Sequence, residues 1–421
     1  MIKRFQIQNY KALRDVTLDL TRMHVLIGPN DSGKTSILEA IATLCRSVDY
    51  PLAQVFTGAW EGCDLVWKNK PDLPIFLSVT VKEDQLQFDY RISCKFLPKE
   101  RNVYIHEERF ERAEGPQVNL GTNNTISNVY RTAVLGNSAP DDIREVTRLV
   151  HDSLSGTHFY RWNPRLLALP VAPDSKRRFR MDSSGFGLAL CLDDILGYDW
   201  ERFADLMGRF RQIFKHIKTI RLLPEAAYRS PTDNQMEIST LEKADGKGIY
   251  FELADGQQVR ASQASDGVLL VLAYLTVLYL PPPHQPRVVL VEEPENGIHP
   301  KRLQDVLKIL RDLVQEQTQS QVILTTHSPY ALDHFEPEEV SLCHKGEDGA
   351  VSIFRLSESQ KVRELASIFT LGVIWTAEGD EALIQRDNSG WVSKEGAVPS
   401  RIRALCPTSQ RPLIEADWGN T

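Results

Sequence analysis

The sequence predicts an α/β fold, and three observations support that fold class. The apolar residues 25–27 lead into the glycine-containing stretch 28–35, and residues 36–45 then carry apolar side chains at helical spacing. The apolar, β-branched run 288–291 ends in two carboxylates, Glu292 and Glu293. An amphipathic helix is predicted over 302–317, and the strand that follows it ends at His327. Strands that alternate with helices in this way favour an α/β architecture.

Residues 28–35 have the sequence Gly-Pro-Asn-Asp-Ser-Gly-Lys-Thr and match the phosphate-binding pattern G-x-x-x-x-G-K-[ST] at every position. The two glycines permit tight backbone geometry in which successive N–H groups point at phosphate oxygens, and the start of the next helix adds partial positive charge. Lys34 is expected to reach the β and γ phosphates, and Thr35 to offer its hydroxyl to Mg²⁺. The predicted nucleotide-binding residues of the loop are Gly28, Asn30, Ser32, Gly33, Lys34, Thr35 and Ser36.

The composition is that of an ordinary globular protein. The 421 residues are enough for one large or two ordinary domains. A net charge of −7 gives no general sign of a nucleic-acid binder, so a DNA contact needs a local basic patch. The six cysteines are scattered without a C-x-x-C pair, which argues against a zinc site or a disulfide framework and fits a reducing cytoplasm. Residues 1–5 lack an apolar signal region, and the apolar run 268–280 is too short to span a bilayer, so we expect a cytoplasmic protein without a membrane segment.

The remaining elements follow from alternation and helical spacing. Strands are expected within 2–27, with a turn at 9–11, and a hairpin is expected from the runs 75–81 and 86–92. Residues 114–140 are rich in glycine, asparagine, threonine and serine and are predicted to be a loop. Further predicted elements are helices over 142–154, 198–216 and 268–280 and a hairpin over 248–260 around Asp255-Gly256.

Two adjacent acids that close an apolar strand indicate chemistry, because burial makes carboxylates costly there. If this strand lies beside the phosphate loop, Glu292 can hold Mg²⁺ directly or through water. Glu293 can then orient and deprotonate an attacking water molecule. Two further stretches are ambiguous by themselves. Ser265-Asp266-Gly267 is the pattern of a helix N-cap, and His327 at the end of 324–326 has the character of a core histidine.

The order of these motifs resembles that of the ATP-binding-cassette (ABC) ATPases, especially the soluble SMC, RecF and OLD (overcoming lysogenisation defect) proteins. The stretch 291–300, Val-Glu-Glu-Pro-Glu-Asn-Gly-Ile-His-Pro, and the stretch 9–13, Asn-Tyr-Lys-Ala-Leu, are similar to those of OLD-like and RecF-like AAA proteins of bacteria. The resemblance is strong over about 1–50 and 245–335 and loose between them. It implies a P-loop NTPase fold of the ABC-head type, a mixed sheet flanked by helices, with an α-rich insertion between Walker A and the signature.

The resemblance implies a role for each matching residue. Lys34 and Thr35 would be the Walker A lysine and magnesium ligand, and Glu292 and Glu293 the Walker B acid and the catalytic base. The remaining implied residues are Ser265 and Gly267 of the signature, which contact a γ-phosphate held by a second subunit, Asn296-Gly297 of the D-loop, the switch histidine His327, and Lys11 or Tyr10 near the adenine. The implied cofactors are ATP and Mg²⁺, and the implied assembly is a homodimer, with a higher assembly left open.

The chain departs from the family pattern at two places. The usual Walker B aspartate is Glu292 here, one methylene longer, so its contact with magnesium can be indirect. The Q-loop glutamine has no clear position, since Gln85 and Gln87 lie in a strand-like run. The implied division is an N-terminal lobe over 1–100, a helical insertion over 101–240, a C-terminal lobe over 241–345 and a tail over 346–421.

The nuclease domain of OLD proteins would open with a strand and a Glu-Gly turn, which Glu378-Gly379 resembles superficially. A later Asp-x-Asp is also needed, and only residues 414–417 are available, so an ATPase tail is expected and not a nuclease. The family then implies a partner effector, a nuclease or toxin, in bacterial anti-phage defence. The alternatives are a RecF-like repair ATPase that acts on DNA, and an ATP-bound scaffold with little hydrolysis, which Glu293 argues against.

A local basic run is present at Lys176, Arg177, Arg178 and Arg180. Four positive charges in five positions would concentrate affinity for phosphates despite the acidic total. The run is either a nucleic-acid contact or a solvated loop.

Overall fold

A computed structural model describes residues 1–56, 62–70, 72–83, 86–97, 102–113, 115, 117–122, 124–174, 178–229 and 242–384. The strands are β1 Ile2–Tyr10, β2 Leu13–Asp19, β3 Met23–Ile27, β4 Ile75–Glu83, β5 Leu86–Leu97, β6 Asn102–Arg112, β7 Gln117–Gly121, β8 Thr157–Tyr160, β9 Ile217–Arg229, β10 Glu242–Leu253, β11 Gln258–Arg260, β12 Val288–Glu292, β13 Gln321–Thr325, β14 Val340–Lys345 and β15 Val351–Arg355. The helices are α1 Lys34–Arg46, α2 Leu52–Val55, α3 Asp141–Leu154, α4 Pro164–Leu167, α5 Leu188–Tyr198, α6 Trp200–Ile213, α7 Asp266–Leu278, α8 Pro300–Glu316, α9 Pro329–Leu332, α10 Gln360–Leu365 and α11 Leu371–Ile384.

The strands that carry the predicted motifs lie in one six-stranded sheet of order β15-β14-β3-β13-β12-β8. All neighbouring pairs run parallel except β14 and β15, so the sheet is mixed. In register, Leu324 of β13 lies between Val25 of β3 and Val291 of β12. Because parallel strands end at the same edge of a sheet, the phosphate loop, the paired acids and His327 meet at one place.

The two faces of this sheet pack against different layers. Val25, Val289 and Val322 are buried in the core that α5, α6, α7 and α8 share, whereas Leu26 and Leu290 are buried against α1 and a second sheet. Residues that alternate along a strand point to opposite faces, so each strand contributes to both cores. Complete burial of one such side chain contributes about 1.5–3 kcal/mol. The sheet edge that carries the motifs is therefore held rigidly from both sides.

The second sheet is antiparallel, with the order β2-β1-β4-β5-β6-β7. Phe5 and Ile7 of β1 face the core opposite Val79 and Leu77 of β4. The predicted hairpin is present as β4 and β5, paired from Ile75 and Cys94 onwards. A third sheet, of order β11-β10-β9, contains the hairpin predicted around Asp255-Gly256.

The predicted α/β fold class is confirmed. The phosphate loop follows β3 of a mixed sheet that is flanked by helices. Within it, the insertion is less helical than expected. Segment 101–240 contains β6, β7, β8 and β9 in addition to α3, α4, α5 and α6, and the loop expected over 114–140 includes β7 and a π-helical turn over 130–134. In β6 the pairing with β5 skips His106, between Ile105 and Glu107, and this register shift interrupts the alternation of buried and exposed residues along the strand. In the described residues no helix has both the length and the apolar character needed to cross a membrane.

Candidate nucleotide-binding site

The phosphate loop joins β3 to α1, and its glycines are required for two reasons. Gly28 has φ 137° and Gly33, at the N-cap of α1, has φ 89°. A Cβ atom on Gly28 would lie 2.3 Å from the carbonyl oxygen of Cys343, and one on Gly33 would lie 2.6 Å from the side chain of Val351. Close packing against β14 and β15 therefore excludes side chains that the backbone conformation also disfavours. Asn30 is exposed in the loop.

The Lys34 side chain is turned back onto the loop and is buried. Its Nζ donates hydrogen bonds to the carbonyl oxygens of Gly28 and Pro29, at 3.0 and 2.8 Å, and to Ser32 Oγ at 3.3 Å. Burial lowers the pKa of Lys34, and nearby acidic groups, including Glu293, oppose that shift. The ammonium group is thus held against the loop by two of its backbone carbonyls and a hydroxyl.

Thr35 and Glu292 are joined by a hydrogen bond beside the phosphate loop. Thr35 Oγ1 donates to Glu292 Oε1 at 2.5 Å. Glu292 Oε2 is buried without a hydrogen-bond donor, and its only charged contact among the described residues is Arg161 Nε at 3.3 Å. The Glu292 side chain is 7% exposed and that of Arg161 is 73% exposed. A hydroxyl and a carboxylate with an unsatisfied buried oxygen fit Mg²⁺, which prefers hard oxygen ligands.

Glu293 and His327 lie beside this pair, at the ends of β12 and β13. Glu293 Oε1 is 2.9 Å from His327 Nε2, and Glu293 Oε2 accepts a hydrogen bond from Asn296 Nδ2 at 2.8 Å. The backbone of Glu293 has φ 44°, a conformation that costs a non-glycine residue about 1–3 kcal/mol. Its N–H is held by the carbonyl and the hydroxyl of Thr325, both at 3.2 Å. Both carboxylate oxygens are therefore oriented by neighbours on a strained, fixed backbone.

Glu295 is a site residue to which the sequence assigned no role. Its Oε1 accepts hydrogen bonds from Thr326 Oγ1 at 2.9 Å and from the backbone N–H of His327 at 2.6 Å. Its Oε2 is buried without a hydrogen-bond donor. Glu295 thus fixes the turn that places His327 against Glu293. The signal available in the sequence was the third acid of Glu-Glu-Pro-Glu.

Lys11, Thr35, Ser36 and Arg161 line one cleft of about 430 Å³ beside the phosphate loop. Lys11 forms an ion pair with Glu39 of α1, so the residue expected near the adenine does reach this cleft. Tyr10, the other candidate for that place, is packed in the core of the antiparallel sheet, and burial raises its pKa. Tyr10 is not among the described residues that line the cleft.

Arg161 was not predicted from the sequence. It follows β8, the strand beside β12, and its backbone N–H donates to the carbonyl of Ser183 at 2.8 Å. Its side chain reaches the cleft and Glu292. Gln87, one candidate for the Q-loop, lies exposed on β5, and Gln85 is outside the described residues. Among the described residues no glutamine lines the cleft, and Arg161 is one of the polar residues that do.

Ser265 and Gly267 are at a distinct surface. Ser265 precedes α7 at its N-cap position, is exposed, and makes no capping hydrogen bond with its side chain. A Cβ on Gly267 would meet nothing within 4 Å. A Cβ atom on Gly297 would lie 3.6 Å from the side chain of Asp266, at the start of the same helix. Neither Ser265 nor Gly267 lines the cleft of Thr35.

The basic run is partly engaged within the protein. Arg178 forms an ion pair with Asp194 at 3.3 Å, and Arg180 donates to the hydroxyl of Tyr50 at 3.0 Å. Lys176 and Arg177 lie outside the described residues. Two of the four predicted cations thus have acceptors of their own, which favours a structural role for them.

Glu378-Gly379, which resembled the opening of a nuclease domain, lies in α11 and not at the end of a strand. The helix is kinked at Gly379, where φ is 76° and ψ is 169°. Asp380 accepts a hydrogen bond from Trp375 Nε1 at 2.6 Å, which is a contact within this helix. Residues 414–417 are outside the described part of the chain.

Two family models match the sequence. Residues 1–160 match the model of an AAA ATPase domain, and residues 140–333 match that of an AAA domain described as a putative AbiEii toxin of a type IV toxin–antitoxin system. The OLD nuclease of Thermus scotoductus is 24% identical over 414 residues, which are 92% of this chain and 70% of the nuclease. These sequence matches confirm the OLD-like resemblance predicted from the motifs.

Solved structures of SMC heads also align with the chain. An SMC head bound to the C-terminal winged-helix domain of ScpA is 15% identical with a TM-score of 0.49, over 84% of this chain and 96% of that one. The SMC head of Pyrococcus furiosus with an extended coiled coil is 13% identical with a TM-score of 0.48, over 87% of this chain and 99% of that one.

Proposed function

We propose that this chain, which carries an OLD-like ATPase domain of the AAA/ABC type, binds ATP with Mg²⁺ and hydrolyses it between two copies of itself. The observation that carries the proposal is the pairing of Thr35 with Glu292, and of Glu293 with His327, at neighbouring strand ends. Such an arrangement combines a magnesium site, a base and a residue that orients the base. Phosphoryl transfer depends mainly on positioning and charge stabilisation of this kind.

The first step of the proposed mechanism is phosphate binding. Lys34 exchanges its loop carbonyl partners for phosphate oxygens, and the N–H groups at the start of α1 hold the same anion. Thr35 and Glu292 would hold Mg²⁺, which neutralises charge on the phosphates when bound. Lys11 and Ser36 border the same cleft. The carbonyl contacts of Lys34 explain how a buried cation remains satisfied before nucleotide arrives.

The second step is activation of water. Glu293 accepts a proton from the attacking water, and His327 and Asn296 fix the directions of its two oxygens. Glu295 holds the turn that carries His327, so it acts as a positioning residue. Because the strained backbone of Glu293 is anchored on Thr325, the base moves with the rigid sheet and not with a loop.

The need for a second copy follows from the position of the signature. The start of α7 is an exposed helix N-terminus with an unengaged Ser265 hydroxyl, which suits a γ-phosphate. Ser265 and Gly267 do not line the cleft that contains Thr35, and we infer that the phosphate they meet is held by another subunit. A head-to-head homodimer around ATP meets this requirement.

We further propose that the cycle controls a partner effector, a nuclease or toxin, in the cytoplasm of a bacterium that defends itself against phage. The support is the OLD nuclease relative and the toxin–antitoxin description of the matched model. An ATPase whose catalytic dimer forms and separates with ATP is suited to switching such an effector.

The dimer is tested with Ser265→Arg. The added side chain blocks the partner's γ-phosphate and leaves the phosphate loop intact, so hydrolysis should fall to background while ATP affinity is retained. Ser262→Arg, an exposed position three residues earlier, is the matched control and should hydrolyse ATP at the wild-type rate. The measurements are phosphate release, equilibrium binding of a fluorescent ATP analogue, and size-exclusion chromatography with and without ATP. Normal hydrolysis by Ser265→Arg would show that the signature is assigned wrongly.

A further inference from the structure

Within the described part of the chain, strand β9 has an outer edge that is unpaired over most of its length. Along one side it pairs with β10 from Ile217 to Arg229. On the other side the described chain bonds to it only near its end, where Ala172 N donates to Tyr228 O and Tyr228 N donates to Pro170 O. From Lys218 to Leu223 no described strand pairs with this outer edge. Open N–H and C=O groups on an edge strand are a template for one more strand.

A groove runs along this edge, and we call it the β9 groove. Residues 218–223 of β9 form one wall, and α5 and α6 form the other, around a volume of about 580 Å³. Because six consecutive strand residues line it, the backbone edge itself faces the groove and not only alternate side chains. The helical wall is apolar, with Leu196, Phe203 and Met207, and Trp200 stands at it with 66% of its surface exposed. An exposed tryptophan beside the apolar side chains of a groove is typical of interaction surfaces.

The charge of the groove is positive, in contrast to the chain as a whole. One carboxylate, that of Asp193, lines the groove together with four cationic side chains, those of Arg211, Lys218, Arg221 and Lys247. Asp193 forms an ion pair with Lys247 at 2.6 Å. Lys218 and Arg221 share the single carboxylate of Glu252, at 2.9 and 2.6 Å. Positive charge therefore remains in a chain whose net charge is −7, and acidic groups on a ligand would be attracted.

We propose that the β9 groove binds an extended segment of a partner protein, with alternating acidic and apolar residues, which adds to β9 as a further strand. Six strand residues span about 20 Å, enough for main-chain hydrogen bonds along one peptide of similar length. Apolar side chains of the added strand face α6, and acidic ones face the cations. The edge favours a peptide over a nucleic acid, because only a peptide offers N–H and C=O groups at strand spacing. The proposal deepens the proposed function, since it supplies the docking site for the effector.

The test begins with a random decapeptide library, displayed on phage and selected against the full-length protein. Enriched peptides should alternate acidic and apolar residues. As synthetic fluorescent peptides they should bind the wild type and lose about tenfold or more in affinity to Trp200→Ala and to Arg221→Glu, as is typical of anchor residues. The matched control is Arg148→Glu, the same charge reversal at an exposed helical position away from the groove. N-methylation of alternate peptide amides should also weaken binding, because it removes strand hydrogen bonds.

Several outcomes would overturn the proposal. These are enrichment of basic or featureless peptides, no enrichment, equal affinity for the wild type and the groove variants, or competition by a dT12 oligonucleotide. A change in oligomeric state of Arg221→Glu without nucleotide would assign the groove to a second copy and also overturn it. ATP hydrolysis is measured in each variant and should be unchanged, because neither Trp200 nor Arg221 lies at the nucleotide cleft. Loss of peptide binding with normal hydrolysis thus separates failure of the groove from failure of the ATPase proposal.

Discussion

The two six-stranded sheets place buried carboxylates in opposite situations. Glu108, on β6 of the antiparallel sheet, has both oxygens satisfied by donors from its own surroundings. Its Oε1 accepts from the hydroxyl of Tyr90 at 2.9 Å and from the N–H of Val129 at 3.4 Å, and its Oε2 accepts from the N–H of Asn128 at 2.8 Å. This carboxyl group ties the segment after β7 to the sheet.

Glu292, at the end of β12 in the mixed sheet, is satisfied on one oxygen only. Thr35 donates to Oε1, while Oε2 is buried and has no hydrogen-bond donor. Leaving a buried polar atom unsatisfied costs about 1–3 kcal/mol. The antiparallel sheet thus uses a carboxylate to fix structure, and the mixed sheet keeps one available for a ligand. The difference arises because parallel strands end together, where side chains from several strands converge without completing each other's hydrogen bonds.

The largest effect on ATP hydrolysis is expected from Glu293→Gln, which changes the carboxylate next to Glu292 in the mixed sheet. The amide keeps the shape and hydrogen-bonding reach of the side chain but cannot accept the proton of water. Hydrolysis should fall by a factor of about 10² to 10⁴, while ATP binding is retained and the ATP-bound dimer accumulates. Lys34→Ala should lose ATP affinity and never form that dimer. Phosphate release and size-exclusion chromatography with ATP distinguish the two.

Glu145→Gln, which removes a carboxylate of high exposure on α3, is the control and should hydrolyse ATP normally. If Glu293→Gln hydrolyses ATP at the wild-type rate and Glu292→Gln does not, the two acids have been assigned in the wrong order.

The strand-end residues were predictable because each carries its own local signal. Lys34 and Thr35 belong to a complete motif, and Glu292 and Glu293 close an apolar run whose burial makes them conspicuous. The parallel arrangement then brings these ends together with His327 by geometry alone. The fold class followed from the same alternation of strands and helices.

Arg161 and Glu295 could not be assigned in this way. Arg161 follows a strand of four residues, β8, and reaches the site only because β8 pairs with β12, which is a tertiary contact between distant segments. Tyr10 was a candidate for the adenine because it adjoins Lys11. Alternation from Phe5 and Ile7 would turn it outward, but the period breaks at Asn9, which has φ 59°, and Tyr10 is buried in the core. Strand β6 of the insertion was missed for the related reason that a register shift in its pairing with β5, at His106, breaks the pattern.

A smaller effect is expected from Arg161→Gln. The guanidinium lies 3.3 Å from the unsatisfied oxygen of Glu292, where it competes with Mg²⁺ for the carboxylate. The Arg161 side chain of this pair is 73% exposed, and an ion pair screened in this way contributes about 0.5–1 kcal/mol. Its removal should therefore lower the Mg²⁺ concentration for half-maximal binding about two- to fivefold. Calorimetric titration of Mg²⁺ into the protein with ADP measures this. A higher Mg²⁺ requirement would show that Arg161 supports the nucleotide and does not compete with the metal.

Glu108→Gln is expected to leave ATP hydrolysis unchanged. This variant tests the structural role of the carboxyl group in the antiparallel sheet. Burial raises the pKa of Glu108 above its ordinary value of 4.5, although its hydrogen bonds oppose the shift. A raised carboxyl pKa means that the folded protein binds the proton more tightly than the unfolded chain does. This group's contribution to stability is therefore complete below pH 4.5 and is lost as the pH rises through the folded-state pKa.

Glutamine cannot ionise, so the variant lacks the pH dependence of stability that Glu108 contributes. Its amide group also faces N–H donors and leaves one of them unsatisfied, at a cost of about 1–3 kcal/mol. Glu108→Gln should consequently be less stable than the wild type at pH 5, with the deficit shrinking towards pH 8 as the wild type loses the contribution of its proton. Thermal unfolding of both proteins across this range measures the difference, in which the other titrating groups cancel. A deficit that grows with pH would mean that Glu108 is stabilised as the anion, which would contradict this account of the antiparallel sheet.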